Sequence, residues 1–346
     1  MARPENPDPL AALAPWALSP RAAAPIVAGH INLTFRVEAD QGRFALQWVN
    51  PIFRPEVNQD IEALTTHLAG QGLVTPRLVR TRAGGLWAPG PDGGVWRVMT
   101  WIEGDLLLEA DSPARAAAAG ELLGRFHAAL WEHPHRFLHT RPGVHDTPGH
   151  LAHLRAALAA GRGHRLLDQA APLGEAILAA AGRCPLPAAL PARIVHGDPK
   201  LSNVVFGPDG RALAWIDLDT LARMPLALEL GDAFRSWCSP RGEEVEAAFA
   251  PEFFEAGLAG WARAVGARPT PAEREAIPGA VELIALELAA RFCADALEES
   301  YFGWDRGRYP GAGEHNLARA RAQLALARSV RAQLADLHRA AARLLA

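Results

Sequence analysis

Lysine is almost absent from this sequence of 346 residues. Lys200 is the only lysine, and every other basic residue is an arginine. Such a bias usually reflects genome composition, which exchanges lysine for arginine wherever the protein tolerates it. A lysine that remains can therefore mark a position that needs a compact ammonium group, which a planar guanidinium does not replace. Survival by chance is the alternative, so the position of Lys200 relative to other motifs is informative.

The sequence also lacks paired cysteines, long apolar runs and basic blocks. Its three cysteines, Cys184, Cys238 and Cys293, are far apart, which predicts buried free thiols in a reducing cytoplasm. No apolar run approaches the length of a membrane span, and residues 1–25 lack the pattern of a signal peptide. The net charge is −3 without a basic block. Neither nucleic acid nor a membrane is therefore expected as a partner, and we predict a cytoplasmic protein.

What the sequence does contain predicts two lobes. Hydrophobic residues make up 49% and charged residues 21% of the chain, as in globular proteins with a sizeable core. Strand patterns dominate the first third, and helical spacing dominates the remainder. We therefore predict an α+β, bilobal fold with three segments: an N-terminal extension (1–25), a small β-rich lobe (26–101) and a larger helical lobe (102–346).

Periodicity gives approximate bounds for the elements. In the small lobe, it predicts one helix over 59–69 and strands over 31–37, 43–49, 77–80, 85–88 and 95–102. In the large lobe, it predicts helices over 114–131, within 151–181 and from 243 onward, with a loop at 303–313.

The segment from His196 to Asn203 carries the most chemical information. Asp198 precedes Asn203 by five positions, which is the spacing of a kinase catalytic loop. In such a loop the aspartate accepts the proton of the attacking hydroxyl, and the asparagine oxygen binds magnesium. The spacing alone is a weak signal, because it occurs by chance in many chains.

The residues after this loop strengthen the signal because they predict a β-hairpin. Strand patterns at 204–206 and 212–216 flank the turn Gly207-Pro208-Asp209-Gly210. Antiparallel pairing would bring Asn203, before the first strand, close to Asp217, after the second. An amide oxygen and a carboxylate meeting at one point suit Mg²⁺. The alternative is an ordinary surface hairpin whose flanking polar residues only form turns.

Lys200 lies inside this same segment, two residues after Asp198. Its ammonium group could there stabilise the negative charge of a transferring phosphoryl group. A lone lysine would fall within so short a motif by chance only rarely. We therefore assign Asp198 and Lys200 as catalytic residues, and Asn203 and Asp217 as metal ligands.

The order His196-Gly197-Asp198, Asn203 and Ile216-Asp217 resembles the aminoglycoside phosphotransferase and choline kinase superfamily. Within it, further segments are similar to the N-acetylhexosamine 1-kinase group. They are Gly29–Phe35, Leu46–Asn50, Ile216–Thr220, Leu230–Asp232 with Arg235, Arg291-Phe292, Tyr301-Phe302 and His315–Arg321. The resemblance implies a protein-kinase-like fold, ATP and Mg²⁺ as cofactors, and a small-molecule acceptor.

The resemblance also implies roles for residues outside the loop. For the nucleotide it indicates a phosphate-covering loop with Gly29, Asn32 and Thr34, and a hinge against adenine at Thr100, Trp101 and Ile102. For the acceptor it indicates Asp219, Arg235, Arg291 and Tyr301. Asp232 is expected to brace the catalytic loop rather than to take part in chemistry.

One departure from the superfamily concerns the phosphate-binding lysine of the third strand. Gln47 takes that position, with Glu62 as its possible helix partner, and it is assigned to the nucleotide. A neutral amide supplies no charge, so phosphate binding would depend on magnesium or on an arginine such as Arg36.

The leading hypothesis is a kinase that phosphorylates the anomeric hydroxyl of an N-acetylhexosamine. The alternatives are an aminoglycoside or choline-type amino-alcohol kinase, and a pseudokinase that binds without catalysis. Arginines near the acceptor would repel a polycation and donate to sugar oxygens. The acidic stretch of Asp295, Glu298 and Glu299 is evidence for a cationic acceptor, unless it is a solvated helix face.

Overall fold

The computed structural model describes residues 7–26, 31–141, 143–184, 189–242, 244–246 and 248–346. Over these residues, a small part built on an antiparallel sheet precedes a larger, mostly helical part. The predicted α+β architecture is confirmed.

The small part contains a five-stranded antiparallel sheet in the order β1-β2-β3-β5-β4. Its elements in chain order are α1 (Pro9–Ala12), β1 (Pro20–Ile26), β2 (Leu33–Ala39), β3 (Gly42–Val49), α2 (Val57–Gly70), β4 (Ala88–Pro89) and β5 (Val95–Thr100). On β3, Gln47 lies opposite both Thr34 of β2 and Arg97 of β5. Because directly opposed residues point to the same side of a sheet, these three side chains share one face.

The opposite face of the sheet has its own hydrophobic core. Trp48 and Trp96 are buried there against Trp16, which follows α1 and is itself fully buried. Strand β1 also belongs to the sheet, since it pairs with β2 over most of its length. The prediction that residues 1–25 form an extension outside the small lobe is therefore wrong for Pro9 to Pro25, because this segment completes the sheet and covers it.

Two predicted strands are shorter than expected. The 77–80 segment forms only an isolated bridge between Leu78 and Met99, and the 85–88 segment is reduced to β4. A tight turn separates them, closed by a hydrogen bond from the N–H of Thr81 to the carbonyl of Gly85. Because of this turn, too few residues remain on either side to pair with β5 over a longer stretch.

A short connection joins β5 to the helical part. Residues 101–104 lead into β6 (Asp105–Leu106), which pairs with a strand of the large part. Gly104 has a positive φ, and a Cβ at this position would lie 2.4 Å from the carbonyl oxygen of Phe206. Only glycine therefore lets the connection approach that strand so closely.

Seven helices described in the large part bury one continuous core. They are α3 (Pro113–Leu130), α4 (Thr147–Ala160), α5 (Leu167–Ala181), α6 (Leu226–Trp237), α7 (Pro251–Val265), α8 (Pro271–Glu298) and α9 (Ala312–Leu344). The predicted helical region within 151–181 is a pair of helices, and the predicted loop at 303–313 separates α8 from α9.

Four short strands support the segments on which the candidate site is built. In chain order they are β7 (Ala192–Val195), β8 (Val204–Phe206), β9 (Ala212–Trp215) and β10 (Ala222–Pro225). Strand β8 lies between β6 and β9, while β7 pairs with β10. The predicted hairpin over 204–216 is thus confirmed.

All three cysteines are buried free thiols, as predicted. Within the described part of the chain, no helix has both the length and the apolar character needed to cross a lipid bilayer.

Candidate active site

The loop between β7 and β8 is held by the residues that follow β9. The Thr220 hydroxyl donates to the carbonyl of His196 at 2.9 Å, and the His196 ring nitrogen Nε2 lies 2.9 Å from the carbonyl of Ile216. Gly197 has φ 82°, and a Cβ there would lie 2.2 Å from the carbonyl oxygen of Thr220. The glycine of the motif is therefore required both by backbone conformation and by this close approach.

Glu229 of α6 braces the same loop through its carboxylate. Its fully buried carboxylate accepts the backbone N–H groups of His196 and Gly197, both at 2.9 Å. The bracing role predicted for Asp232 therefore belongs to Glu229, one helical turn earlier. Asp232 instead accepts from Nε of Arg235 at 2.9 Å.

Asp198 lies at the centre of the loop and contacts the other motif residues. Lys200 Nζ donates to Asp198 Oδ2 at 2.7 Å. Burial alone would raise the pKa of Asp198, but attraction to Lys200, its hydrogen bond and the contacts with His196 and Asn203 together outweigh burial, and the pKa lies below its ordinary value. Asp198 is therefore ionised at neutral pH and able to accept a proton.

The Asn203 amide has a defined orientation beside Asp198. Its Nδ2 donates to the carbonyl of Asp198 at 2.9 Å and to the Asp198 carboxylate at 3.1 Å. Because the amide nitrogen is committed to Asp198, the amide oxygen is the atom that can face a cation. Backbone pairing continues past the hairpin, since the Ile216 N–H donates to the Asn203 carbonyl at 2.8 Å.

Asp217 follows directly and adopts a left-handed conformation, with φ 61° and ψ 56°. Such a conformation is uncommon outside glycine, although aspartate tolerates it better than most residues, and here it starts the short 3-10 helix Leu218–Thr220. Burial and repulsion from Asp219 and Asp198 raise the pKa of the Asp217 carboxyl to about 6. A cation would relieve this concentration of negative charge.

The donor set fits magnesium better than a metal held by protein ligands alone. Among the described residues, no group of three or more His, Cys, Asp or Glu side chains could hold a metal ion. Mg²⁺ is commonly held by one or two carboxylates together with substrate phosphates. Asp217 and the Asn203 oxygen match that pattern.

Five side chains connect the sheet to the segment that carries Asp217, and we call them the interlobe network: Asn32, Gln47, Asn58, Arg97 and Asp219. Arg97 binds Asp219 through two hydrogen bonds of 2.6 Å, and both side chains are buried, at 1% and 0% exposure. Arg97 Nε also donates to Gln47 at 2.9 Å, and Nη1 to Asn58 of α2 at 3.3 Å. Asn32 Nδ2 donates to Asp219 at 2.6 Å.

The interlobe network corrects three sequence expectations. Asp219 was predicted to bind the acceptor, but Arg97 and Asn32 occupy both of its buried carboxylate oxygens. Gln47 contacts Arg97 and Thr34 rather than Glu62, which pairs with Arg80 at 2.9 Å.

The third correction concerns the arginine expected near Gln47. Arg36 is half exposed and pairs with Glu38. The arginine beside Gln47 is Arg97, which no sequence motif marks. A single charged residue in the otherwise apolar run of β5 was the available signal.

The other predicted nucleotide residues lie at two places. Gly29 falls outside the described residues. Asn32 directly precedes β2, and Thr34, its second residue, accepts from Gln47 at 3.1 Å. Thr100 ends β5, and Trp101 and Ile102 form the connection to β6.

The structure brings two of the predicted acceptor residues together. The Arg291 guanidinium lies 5.8 Å from the ring centre of Tyr301 and 5.5 Å from that of Phe302, and Arg141 donates to the Tyr301 hydroxyl. We call Arg141, Arg291, Tyr301 and Phe302 the arginine–aromatic cluster. Arg235 is instead buried and paired with Asp232 in α6.

The acidic stretch near this cluster is occupied by partners within the protein. Asp295 is 3% exposed and accepts the backbone N–H groups of residues 300, 301 and 302, so it is not part of a solvated helix face. Glu298 pairs with His153 at 3.0 Å and Glu299 with Arg165 at 2.5 Å. These acids are therefore poor candidates for binding a cationic acceptor.

A small antiparallel sheet thus packs, through the interlobe network, against the segment that carries Asp217, and Thr220 of that segment holds the Asp198 loop. This arrangement is a kinase-like fold. The model of the phosphotransferase enzyme family matches residues 22–266 of the chain. The protein therefore belongs to the phosphotransferase enzyme family, whose members' kinase activity uses an alcohol group as acceptor.

Individual relatives agree with this family. A homoserine kinase from Caulobacter sp. (strain K31) is 28% identical over 274 residues, which cover 77% of this chain and 78% of that protein. An aminoglycoside phosphotransferase from Alicyclobacillus acidocaldarius has a TM-score of 0.65 at 17% identity, covering 96% of this chain and 98% of its own.

A second structure is an aminopropanol kinase associated with a microcompartment. It has a TM-score of 0.58 at 18% identity and covers 93% of this chain and 96% of its own. An amicoumacin kinase in complex with AMP-PNP and Ca²⁺ has a TM-score of 0.61 at 14% identity, covering 91% of each chain. The superfamily prediction is confirmed, and the N-acetylhexosamine branch stays a prediction.

Proposed function

We propose that this protein transfers the γ-phosphoryl group of ATP to a hydroxyl group of a small acceptor, with Mg²⁺ bound by Asp217 and Asn203. The observation that carries the proposal is the arrangement of Asp198, Asn203 and Asp217, which one loop and one hairpin bring to a common place. ATP and the reduced thiols fit a cytoplasmic location, which is part of the proposal.

The transfer step follows from the positions of these groups. Asp198 accepts the proton of the acceptor hydroxyl as its oxygen bonds to the γ-phosphorus, and the bond to the bridging oxygen breaks to release ADP. The magnesium ion, when bound, offsets the negative charge of the phosphates. Phosphoryl transfer needs little covalent work from a protein, so positioning and electrostatics provide most of the catalysis.

Lys200 is proposed to stabilise the phosphoryl group during transfer. We expect Lys200→Arg to lower kcat more than it raises KM for ATP, because the contact strengthens as charge shifts in the transition state. The larger planar guanidinium keeps the charge but cannot keep the compact contact with Asp198. Steady-state kinetics at varied ATP concentrations measures both constants.

Arg211→Lys is the matched control, because Arg211 lies 80% exposed on the same hairpin. It should leave both constants unchanged. Equal kinetics for Lys200→Arg and the wild type would mean that Lys200 survived by chance.

For the acceptor, we propose an N-acetylhexosamine that is phosphorylated at its anomeric hydroxyl. The arginine–aromatic cluster supports a neutral sugar, because guanidinium groups donate well to sugar oxygens and the aromatic rings offer an apolar surface. The same guanidinium groups would repel a polycation, and the acidic stretch that would have offset them is already paired.

The second candidate acceptor is homoserine, which the similarity to a homoserine kinase favours. Homoserine is a zwitterion with an alcohol group, and an arginine such as Arg291 would bind its carboxylate. The arginine–aromatic cluster is compatible with this acceptor and less so with choline or an aminoglycoside.

A panel assay of ATP consumption separates these candidates. We expect turnover with N-acetylglucosamine or N-acetylgalactosamine, giving the 1-phosphate, and none with choline or kanamycin. Arg291→Met should raise KM for the acceptor, whereas Arg339→Met, at an exposed site on α9, is the control that should not.

Each other outcome of the panel has a defined meaning. Turnover with homoserine and with no other acceptor would replace the sugar by the second candidate. Turnover with only choline or kanamycin would refute both the sugar and homoserine as acceptors, while the kinase proposal would stand. ATP binding without turnover on any acceptor would point to the pseudokinase.

A further inference from the structure

We infer that Arg97 and Asp219 form a clamp that positions the metal ligand Asp217 against the nucleotide-binding sheet. This inference rests on the proposed function, because it concerns how the same site holds Mg²⁺ and ATP. Neither residue is assigned to the chemistry itself. Both act through Asp217 and are therefore positioning residues.

Arg97 lies next to the β3 position at which related kinases carry a phosphate-binding lysine and this chain carries Gln47. Lys200 is the only lysine of the chain, so no lysine can project from β3. On the sheet face that carries Thr34, the β3 residue is Gln47, and Arg97 is its direct neighbour across the β3–β5 pair. The positive charge beside Gln47 therefore comes from the adjacent strand.

The guanidinium of Arg97 connects three separate elements. It contacts β3 through Gln47, α2 through Asn58 and the Leu218–Thr220 turn through Asp219. Its hydrogen bonds to Asp219 are bidentate, with both N–O distances at 2.6 Å, the geometry that favours arginine over lysine. The position of each element thus depends on the same side chain.

Asp219 connects Arg97 to the segment that carries the metal ligand Asp217. It lies two residues after Asp217, in the one-turn 3-10 helix that Asp217 begins from a left-handed conformation. Asn32, which directly precedes β2, donates a further hydrogen bond to the same carboxylate. The turn after Asp217 is therefore fastened to the sheet at two points, and to the catalytic loop at a third, through Thr220.

Because Arg97 and Asp219 are both buried, their ion pair has a large effect on stability when only one partner is removed. Fully buried ion pairs often contribute little net stability, whereas removing one partner leaves an uncompensated charge that is strongly destabilising. Hydrophobic replacement of both partners can restore stability. Stability and positioning can thus be separated by comparing single and double variants.

The test measures binding of AMP-PNP at increasing Mg²⁺ concentrations by calorimetry, which needs no acceptor. Arg97→Met should lower the unfolding midpoint by about 5 °C and weaken Mg²⁺-dependent binding. In the double variant Arg97→Met/Asp219→Leu, the midpoint should recover. The Mg²⁺ concentration for half-saturation should stay raised by about 10–100-fold, the usual cost of losing a residue that orients a metal ligand.

Two further variants complete the design. Arg97→Lys keeps the charge without the bidentate geometry and should show an intermediate Mg²⁺ requirement. Arg331→Met is the matched control, because it removes the arginine partner of Glu282, whose side chain is 5% exposed between α8 and α9. It should lower stability without changing the Mg²⁺ requirement.

A merely structural role predicts a different pattern. If the double variant recovers both its unfolding midpoint and the wild-type Mg²⁺ requirement, the clamp is refuted.

Failure of the proposed nucleotide and Mg²⁺ binding can be recognised separately, because wild-type protein would then bind no AMP-PNP with Mg²⁺. In that case hydrogen exchange of the amides of residues 217–220 still tests the clamp. Faster exchange in the double variant than in the wild type supports it, and equal exchange refutes it.

Discussion

Asp198→Asn should lower turnover by about 10²–10⁴-fold while leaving nucleotide binding intact, the usual loss when a general base is removed. Asparagine keeps the size of the side chain and can still contact Lys200, but its amide does not accept the acceptor proton. The low pKa of Asp198 means that the wild-type side chain is already ionised at neutral pH. The measurement is kcat with a saturating acceptor, together with calorimetry of AMP-PNP binding.

Asp209→Asn is the control for this change. Asp209 lies exposed in the turn of the adjacent hairpin and pairs with Arg211. Its variant should turn over at the wild-type rate. If Asp198→Asn also retains that rate, Asp198 is not the base.

Asp217→Ala should abolish Mg²⁺-dependent turnover, with a fall of at least about 10³-fold, because Mg²⁺ would lose the carboxylate proposed to hold it. The ligand-free fold should not lose stability through charge, since burial and repulsion from Asp219 already disfavour the ionised form and raise the pKa of Asp217 to about 6. Loss of activity without loss of stability identifies a group kept for function. Turnover at increasing Mg²⁺ and thermal unfolding without Mg²⁺ measure the two effects.

The control is Asp336→Ala, which removes a carboxylate from an exposed position on α9. Its Mg²⁺ dependence should match the wild type. Normal turnover of Asp217→Ala at ordinary Mg²⁺ concentrations would show that the hairpin does not build a metal site.

The catalytic loop and hairpin could be predicted because their contacts are local. Asn203 and Asp217 are separated by one tight hairpin, and pairing of its strands alone brings their backbones together. Gly197 could be placed in the motif, but its close approach to Thr220 depends on how the segment after β9 folds back.

The interlobe network could not be predicted because it joins distant parts of the chain. Arg97 and Asp219 are 122 residues apart, and periodicity describes which face a residue occupies but not what lies opposite. Asp219 is two residues from Asp217, so assigning it to the acceptor was reasonable by sequence. Only the packing of sheet against turn shows that its carboxylate is buried.

Packing also explains two further errors. Trp16 lies in a segment rich in alanine and proline that resembles a linker, yet it fills the outer face of the sheet. Glu229 and Asp232 are one turn apart on α6, and sequence gives no reason to prefer either as the brace. Glu229 is the brace because its carboxylate accepts the backbone N–H groups of His196 and Gly197 in the catalytic loop.

Phosphorus NMR of the wild-type protein with ATP, Mg²⁺ and N-acetylglucosamine or N-acetylgalactosamine tests the central claim most directly. The account predicts a new phosphate monoester that grows in step with ADP, requires Mg²⁺ and is nearly absent with Asp198→Asn. Ester formation by Asp198→Asn at the wild-type rate, or ADP formation with only inorganic phosphate as its partner, would contradict it.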